Sequence, residues 1–402
     1  MKYLAILGRQ PEISLAELEA LGWTASPAPC FLSHGTLSAQ APASSVGTLP
    51  QGSPAVHIDR LGGTLKLAEE LKEKPIEFLQ KLPEGKITLG VSDYSVKASR
   101  KTATMEALKL KKILVRHGRS VRVVENKDAV LSTATSLHNG LSGRNERKVE
   151  LIKTDNEWYK VIGIQDIDAY SKRDQARPAR DAKVGMLPPK LAQILINLCG
   201  PLKSGATILD PFCGTGVVLQ EALLMGYRVY GTDISERMVE YSKKNLEWLL
   251  CEHGDQRGAC SSEPRNDGRE REREQSNLFQ IVAGDATSFT WTQPIDAVAC
   301  EGYLGRPMSQ VPPEIKLKTE KQECKTIIMG FLKNLSTQIK SGTPVVMAIP
   351  AWLRENGNYS RLEILDEIER LGYNVNNKSR EGLLYARAGQ IVARDIIISR
   401  KK

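Results

Sequence analysis

The stretch ATILDPFCGTG, residues 206–216, followed by RVYGTDIS, residues 228–235, constrains this chain more than any other segment. An apolar run ends in Asp210, turns through Gly214 and Gly216, and opens into the helical run VVLQEALLMG. A second apolar strand then ends in Asp233, 17 residues past Gly216. Strand, glycine turn, helix, strand and terminal carboxylate, in that order, spell the nucleotide-binding half of a doubly wound α/β sheet. Glycines in the turn let backbone approach a ligand closely. A carboxylate at the end of the second strand can hold two ribose hydroxyls.

Three nucleotide ligands compete for this geometry. An ATP-type loop ends in Gly-Lys-Ser/Thr, and this loop has no lysine. A dinucleotide site uses a third glycine for close helix packing and offers a bare helix N-terminus to a pyrophosphate. Here that glycine is missing, and Asp210 stands just before the loop, where it would repel phosphate and suit a cation or an amino group. S-adenosylmethionine carries a sulfonium, an ammonium and no phosphate, and fits best. The plain alternative is an α/β crossover whose glycines only make a turn.

At 402 residues the chain has room for two or three domains, and 41% hydrophobic residues suffice for their cores. A net charge of +9 favours an anionic partner. No apolar run reaches transmembrane length and no signal-peptide pattern is present. Seven scattered cysteines, never paired as CxxC, point to a reducing cytoplasm and away from a structural zinc. The expectation is therefore a cytoplasmic protein without a metal site.

Residues 1–84 read as a small α+β unit: a strand MKYLAILG, then a helix SLAELEALG with Ser14 as N-cap, Glu17 completing a capping box, and Gly22 as stop. Residues 24–55 read as loop or weak strand, and AVHIDRLGGTLKLAEEL with IEFLQKL as a renewed strand–helix rhythm. Residues 85–168 repeat the α+β pattern around the amphipathic helix TATMEALKLKKILVRHG, ended by Gly118. From Lys97 to Lys127 ten Lys/Arg face two Glu. A charge run is often only a solvated face, but this bias in one segment favours a polyanion surface. Lys97, Arg100, Lys101, Lys109, Lys111, Lys112, Arg116 and Arg119 are its candidate RNA contacts, joined by Arg173, Arg177 and Arg180 of the basic, irregular stretch that follows.

Residues 169–200 read as this basic linker and a first helix, KLAQILINL, begun by Pro188 and Pro189 and packing on the sheet edge. Residues 201–402 alternate strands and helices, which predicts a parallel sheet with helices on both faces, closed by a hairpin around Gly389 at its edge. Residues 253–277 are polar and read as a disordered insertion.

Asp285 follows the third strand of this half, where a carboxylate or neighbouring backbone can accept from an adenine amino group; the plainer reading is a cap. The fourth strand ends in ACEGYLG, residues 299–305, at the carboxyl end where ligands bind. Tyr303 offers a ring for base stacking, worth about 1–3 kcal/mol. Glu301 can accept from an exocyclic amino group and turn its lone pair toward a methyl carbon. Cys300 raises the alternative of a covalent nucleophile, although a strand-end thiol fits packing better. Glu301 and Tyr303 as a mere strand end and packed ring is the competing reading.

These motifs resemble the family of THUMP-domain tRNA guanine-N2 methyltransferases, over nearly the whole chain. YLAILGRQPEISLAELEALG is similar to the family's ferredoxin-like start, and RLGGTLKLAE with SVRVVENKDAVLSTATSLHNGL to its THUMP side. YSKRDQARPARDAKVGMLPPKLAQILINL resembles its linker and first catalytic helix, and DPFCGTG its cofactor loop. The resemblance implies a Rossmann-like class I S-adenosylmethionine methyltransferase domain behind N-terminal RNA-binding domains. It implies cofactor contacts from Asp210, Gly214, Gly216, Asp233 and Asp285, with Pro211 and Cys213 in the same loop. One departure stands out: where the family carries Asp-Pro-Pro-Tyr, this chain has Cys300-Glu301-Gly302-Tyr303. Glu301 takes over the acceptor role in this reading, with Gly302 giving the loop freedom.

The expectation is thus an S-adenosylmethionine-dependent methyltransferase acting on a base amino group of structured RNA, tRNA first, with room for a small activating subunit. Its rivals are a DNA amino methyltransferase, a non-catalytic RNA-binding protein that kept the fold, and, more weakly, a nucleotide-binding oxidoreductase.

Overall fold

In the computed structural model, which describes residues 2–25, 44–48, 57–181, 186–253, 278–376 and 383–402, the chain divides into two units, Met1–Tyr170 and Ser171–Lys402. The insertion expected at 253–277, past His253, and most of the loop expected at 24–55 fall outside the described residues.

The first unit is built on eight strands: β1 (Lys2–Leu7), β2 (Thr24–Ala25), β3 (Ser44–Thr48), β4 (Thr64–Glu70), β5 (Ile87–Asp93), β6 (Val121–Val123), β7 (Lys148–Lys153) and β8 (Trp158–Ile164). They form one sheet in the order β2-β3-β1-β4-β8-β7-β5-β6, antiparallel except where β5 pairs β7 and β6. β4 pairs β8 from Lys66↔Ile164 to Glu70↔Tyr159, so the division expected between residues 84 and 85 is crossed by one continuous sheet.

Helix α1 (Pro11–Ala20) begins three residues before Ser14, with Pro11 in its first turn, where the missing N–H costs nothing. Ser14 is therefore not the cap; its Oγ donates to Gln10 O at 3.0 Å. Glu17 turns inward instead of closing a capping box, and its carboxylate accepts from Gly62 N at 2.9 Å and Gly63 N at 2.8 Å. TLKLAEE is the strand β4, the strand half of the strand–helix rhythm expected there. Helix α2 (Pro75–Gln80) and helix α3 (Arg100–Arg116) follow the expected pattern. Ser99 and Thr102 close a capping box on α3, and Gly118, at φ +77°, ends its C-terminal turn. Ala103, Ala107, Leu110 and Leu114 line the buried face of α3, and the last three share a core with Ile87, Leu89, Val91 and Leu151.

On the opposite face of this sheet Lys66 is buried at 2% exposure. Its ammonium donates to Glu150 Oε1 at 2.6 Å, Ser136 Oγ at 2.9 Å and Leu131 O at 2.8 Å. All three donors are used, which offsets the desolvation of the charge and fastens helix α4 (Thr133–His138), through Ser136, to the sheet. Replacing Lys66 by Ala strands Glu150 as a buried unpaired charge. The expected loss is about 3–5 kcal/mol of unfolding free energy, read by chemical denaturation.

After β8 in the chain, residues Ile167–Gln175 form helix α5 where an irregular linker was expected. Helix α6 (Pro189–Leu198) has Pro189 in its first turn, as its sequence predicts. The second unit's strands are β9 (Thr207–Asp210), β10 (Arg228–Asp233), β11 (Phe279–Ala283), β12 (Ala297–Glu301), β13 (Pro344–Leu353), β14 (Tyr359–Arg361), β15 (Tyr373–Val375), β16 (Leu384–Tyr385) and β17 (Val392–Lys401). The main order is β11-β10-β9-β12-β13-β17-β15, parallel through β13, with β17 antiparallel to both of its neighbours. β16 pairs Arg394 and Asp395 of β17 on the flank opposite β13, farther along the strand than β15, so the terminal β16–β17 hairpin lies at the edge, as its sequence predicts. Helix α6 is buried along its length and packs on helix α7 (Val217–Leu224), β12 and β13. It covers interior strands rather than the sheet edge, because its sequence from Pro189 to Leu198 is apolar on nearly every side. Strand order reverses between β9 and β12, which opens a crevice at their carboxyl ends.

Candidate active site

Register places the acidic residues together. Asp210 of β9 pairs with Gly231 of β10, two residues before Asp233. Val298 of β12 pairs with Leu209, so continuing the ladder sets Ala299 beside Asp210 and puts Glu301 two residues on. Side chains alternate along a strand, so Asp210, Asp233 and Glu301 project to the same face at the strand ends. They line a cavity of about 920 Å³ with Gly214, Asp285 and Tyr303. That is the upper end of the usual range for ligand pockets.

Asp233 shapes the loop as well as facing the cavity. One carboxylate oxygen accepts from Gly214 N and the other from Ser235 N, both at 2.9 Å. A carboxylate has about four acceptor positions, so two remain for a ligand. Phe212 anchors the loop from the other side, its ring 5.3 Å edge-on from Phe331 of helix α9 (Glu314–Ser336). Pro211 and Cys213 also line the cavity. The Cys213 thiol is buried, and burial holds its pKa well above the usual thiol value.

The two loop glycines divide their work. Gly214, at φ +50°, faces open space, with Phe212 O as the nearest atom to an added Cβ at 4.0 Å. Gly216, at φ +81°, backs onto helix α8 (Glu236–His253), where a Cβ would stand 2.8 Å from Ser242 Oγ and 3.1 Å from Leu246 Cδ1. Gly216 therefore does the helix-packing work of the third glycine that the sequence lacks, and only Gly214 offers close backbone approach. Gly216→Ala should cost about 1–3 kcal/mol from left-handed strain alone, with the clash added, as measured by denaturant unfolding.

Asp210 is 2% exposed and accepts from Phe212 N at 3.1 Å. Burial raises its pKa well above the ordinary carboxylate value, and the charges of Asp233 and Glu301 add to the rise. A cation seated against it favours the ionised form and releases its proton. Cofactor affinity should therefore climb as pH rises from the ordinary carboxylate range toward this raised value, by up to about one decade per pH unit, and then level off. Asp210→Asn should flatten the profile, measured by calorimetric titration across pH.

The far wall follows β12. Gly302 N donates to Ala348 O at 2.9 Å. Gly305 turns at φ +84°, and Arg306 N donates to Glu320 Oε2 of α9 at 3.3 Å. Glu320, 2% exposed, thus ties down a loop that lacks the two prolines. Tyr303 lines the cavity and packs against the core.

Glu301 is not the free acceptor expected from the sequence. Its Oε1 accepts from Arg394 Nε at 2.7 Å, across the width of β13. Glu301 pairs in register with Ala348, which pairs with Ile396, and Arg394 lies two residues along on the same face. The methyl group of Ala348 leaves room for the bridge. Burial raises the Glu301 pKa, and Arg394 pulls it back.

Several other expectations need correction. Cys300 is fully buried in the core and stands outside the cavity lining, with its thiol pKa held far up by burial, so it presents no nucleophile. Asp285 lines the cavity but also caps its own turn, accepting from Thr287 N at 2.9 Å and Thr287 Oγ1 at 2.8 Å. Arg173 donates to both oxygens of buried Glu221, at 2.7 and 3.2 Å, and the Arg177 side chain is 0% exposed. These two arginines serve the fold of the second unit and are closed to RNA, whereas Arg180 is exposed. On α3, Lys101, Lys109, Lys112 and Arg116 are exposed, as are Lys97 and Arg100 just before and at its start; Lys111 is half-buried. Arg119 instead donates to Leu82 O at 2.9 Å and Pro83 O at 2.6 Å, and clamps the chain after α2.

Sequence reasoning missed Arg394 and Glu320. The signal for Arg394 was an adjacent charged pair, Arg394-Asp395, set just before the apolar run Ile396–Ile398 of one strand. For Glu320 it was a carboxylate on the buried stripe of a helix.

Residues 177–319 match the family described as RMKL-like, methyltransferase domain. The chain is 31% identical over 182 residues to the tRNA (guanine(10)-N2)-dimethyltransferase of Methanothermobacter thermautotrophicus, covering 45% of this chain and 44% of that protein. It is 53% identical over 62 residues to the protein of the same name from Pyrococcus abyssi, covering 15% and 18%. With the Methanocaldococcus jannaschii protein of that name the figures are 28% over 185 residues, covering 44% and 52%. The chain thus matches about half or less of the length of these curated relatives. The parallel sheet, the glycine loop and the carboxylate at the end of β10 agree with the match of residues 177–319 to that methyltransferase domain.

Proposed function

We propose that the protein is an S-adenosylmethionine-dependent methyltransferase that acts on the exocyclic N2 amino group of guanine in structured RNA, with tRNA as its substrate class. The observation that carries this reading is the gathering of Asp210, Asp233, Glu301 and Tyr303 around one cavity at the point where strand order reverses. The donor set fits the cofactor: acids for its sulfonium and ammonium, an open glycine for close approach, and no lysine for a phosphate. Asp233 would hold the ribose hydroxyls, Asp210 would face the cationic end, and Asp285 would accept from the adenine amino group. When bound, S-adenosylmethionine supplies a methyl carbon whose bond to sulfur breaks as its bond to nitrogen forms. The accepting amino group gives up one proton in exchange, which passes by way of the Glu301 carboxylate to solvent. Tyr303 stacks the flipped base, and Glu301 holds an amino proton so that the nitrogen lone pair faces the methyl carbon.

RNA docking belongs to the first unit in this reading. Residues 1–84 and 85–168 correspond to ferredoxin-like and THUMP-like parts of its single sheet. The exposed row on α3 neutralises phosphates. The reading places the protein in the cytoplasm, and among the described residues no helix is long and apolar enough to cross a membrane.

The test is transfer of labelled methyl groups from S-adenosylmethionine to unmodified tRNA, with duplex DNA alongside, followed by nucleoside mass spectrometry. Methylguanosine in tRNA is expected. Methylation of DNA alone would replace the substrate class, and no transfer by a protein that still binds the cofactor would favour an RNA-binding protein or a missing activating subunit. Reversing Lys109, Lys112 and Arg116 to Glu should weaken tRNA binding. The slope of log affinity against log salt should fall by about one for each phosphate no longer neutralised. An unchanged slope would mean that this face is only solvated.

A further inference from the structure

The Glu301–Arg394 bridge is the one feature of the cavity that neither its sequence motif nor the cofactor requires. Glu301 sits at the end of β12 with 18% of its side chain exposed, and Arg394, on β17, has 6% exposed. The two strands are separated by β13, and the bridge passes over Ala348. Arg394 occupies Oε1 through its Nε; among the described residues no donor reaches Oε2. The charged and titratable groups around Glu301 are Asp210 of β9 and Asp233 of β10, which line the same cavity, Arg394 of β17, the adjoining Cys300 thiol and Tyr303 two residues on, while β13 contributes no charged group beneath the bridge. Of these, Arg394 alone carries positive charge. Without it, Glu301 would share this face with Asp210 and Asp233 and have no partner of its own to hold it ionised or oriented.

We propose that Arg394 is a positioning residue for methyl transfer, pinning Glu301 through Oε1 so that Oε2 alone is left to accept the substrate's amino proton. The inference rests on the methyl-transfer reading of this cavity. It explains how an acid that is one place along and one methylene longer than the family's aspartate replaces it. A longer side chain has an extra torsion to fix, and the bridge fixes it. Arg suits this task because its planar guanidinium stays charged at every relevant pH and bonds in a set direction. The buried pair also carries a pH signature: with Arg394 in place the carboxylate remains ionised to lower pH.

The experiment compares the full chain with Arg394→Gln, Arg394→Lys, Glu301→Gln and the double variant Arg394→Gln/Glu301→Gln. Turnover on unmodified tRNA should fall roughly 10- to 100-fold in Arg394→Gln. Cofactor affinity and KM for RNA should stay within about twofold, because an acceptor engaged only at the transition state changes kcat. The acid limb of the rate profile should move up in pH, Arg394→Lys should recover part of the rate, and the double variant should be no slower than Glu301→Gln. Carboxyl-labelled glutamate NMR provides a readout independent of turnover. The resonance missing from Glu301→Gln should titrate at higher pH in Arg394→Gln. Parental turnover in Arg394→Gln, or an unmoved Glu301 titration, overturns the proposal. So does a loss of cofactor affinity as large as the loss of rate, which would make the bridge merely structural. If Arg394→Gln does not fold, the rate profile and Glu301 titration of Arg394→Lys decide. If the parent itself transfers no methyl group to tRNA, the functional reading fails, and the NMR titration still decides whether Arg394 governs Glu301.

Discussion

Carboxylates gathered at one end of a parallel sheet repel one another, and the second unit is arranged around managing that repulsion. Parallel register forces Asp210, Asp233 and Glu301 onto one face, because each lies at the end of its strand. Each is then compensated differently. Asp233 uses acceptor capacity on two backbone N–H groups, and Glu301 takes a guanidinium. Asp210, with a single N–H from Phe212, keeps the least compensation and the strongest pull toward protonation. It is therefore the acid whose charge state a bound cation changes most.

The glycine loop connects this electrostatics to packing. Gly214 is held to Asp233 by its N–H and to Ser242 by its carbonyl, so one residue joins β10, α8 and the loop. Gly216 lets α8 come within contact of the loop backbone. Phe212 against Phe331 couples the same loop to α9, whose Glu320 steadies the segment after β12. The cavity walls thus rest on helix packing as much as on their own sequences.

How much of this was legible beforehand follows from range. The strand–glycine–helix–strand order is local, and its outcome in β9, α7 and β10 matches the pattern that announced it. The Glu301–Arg394 bridge joins residues 93 apart in sequence, and no spacing rule connects them. Local motifs also misled where tertiary demand was stronger. Ser14 and Glu17 have the spacing of a capping box, yet Glu17 is drawn inward by the glycine N–H groups at Gly62 and Gly63. Arg173 and Arg177 looked like surface charge because composition cannot see Glu221, an acid buried on α7 that needs a partner.

The eight-stranded sheet of the first unit carries a consequence for how these residues are handled and how they evolve. β4 has β1 on one side and β8 on the other, and β8 arrives some ninety residues later in the chain. A fragment cut at residue 84 would leave the β8-facing flank of β4 as a raw edge of unpaired backbone groups, open to another strand. Recombination at that point would break a hydrogen-bonded ladder rather than exchange a module. The unit Met1–Tyr170, with its one sheet, is therefore the smallest piece to express or graft without opening that ladder.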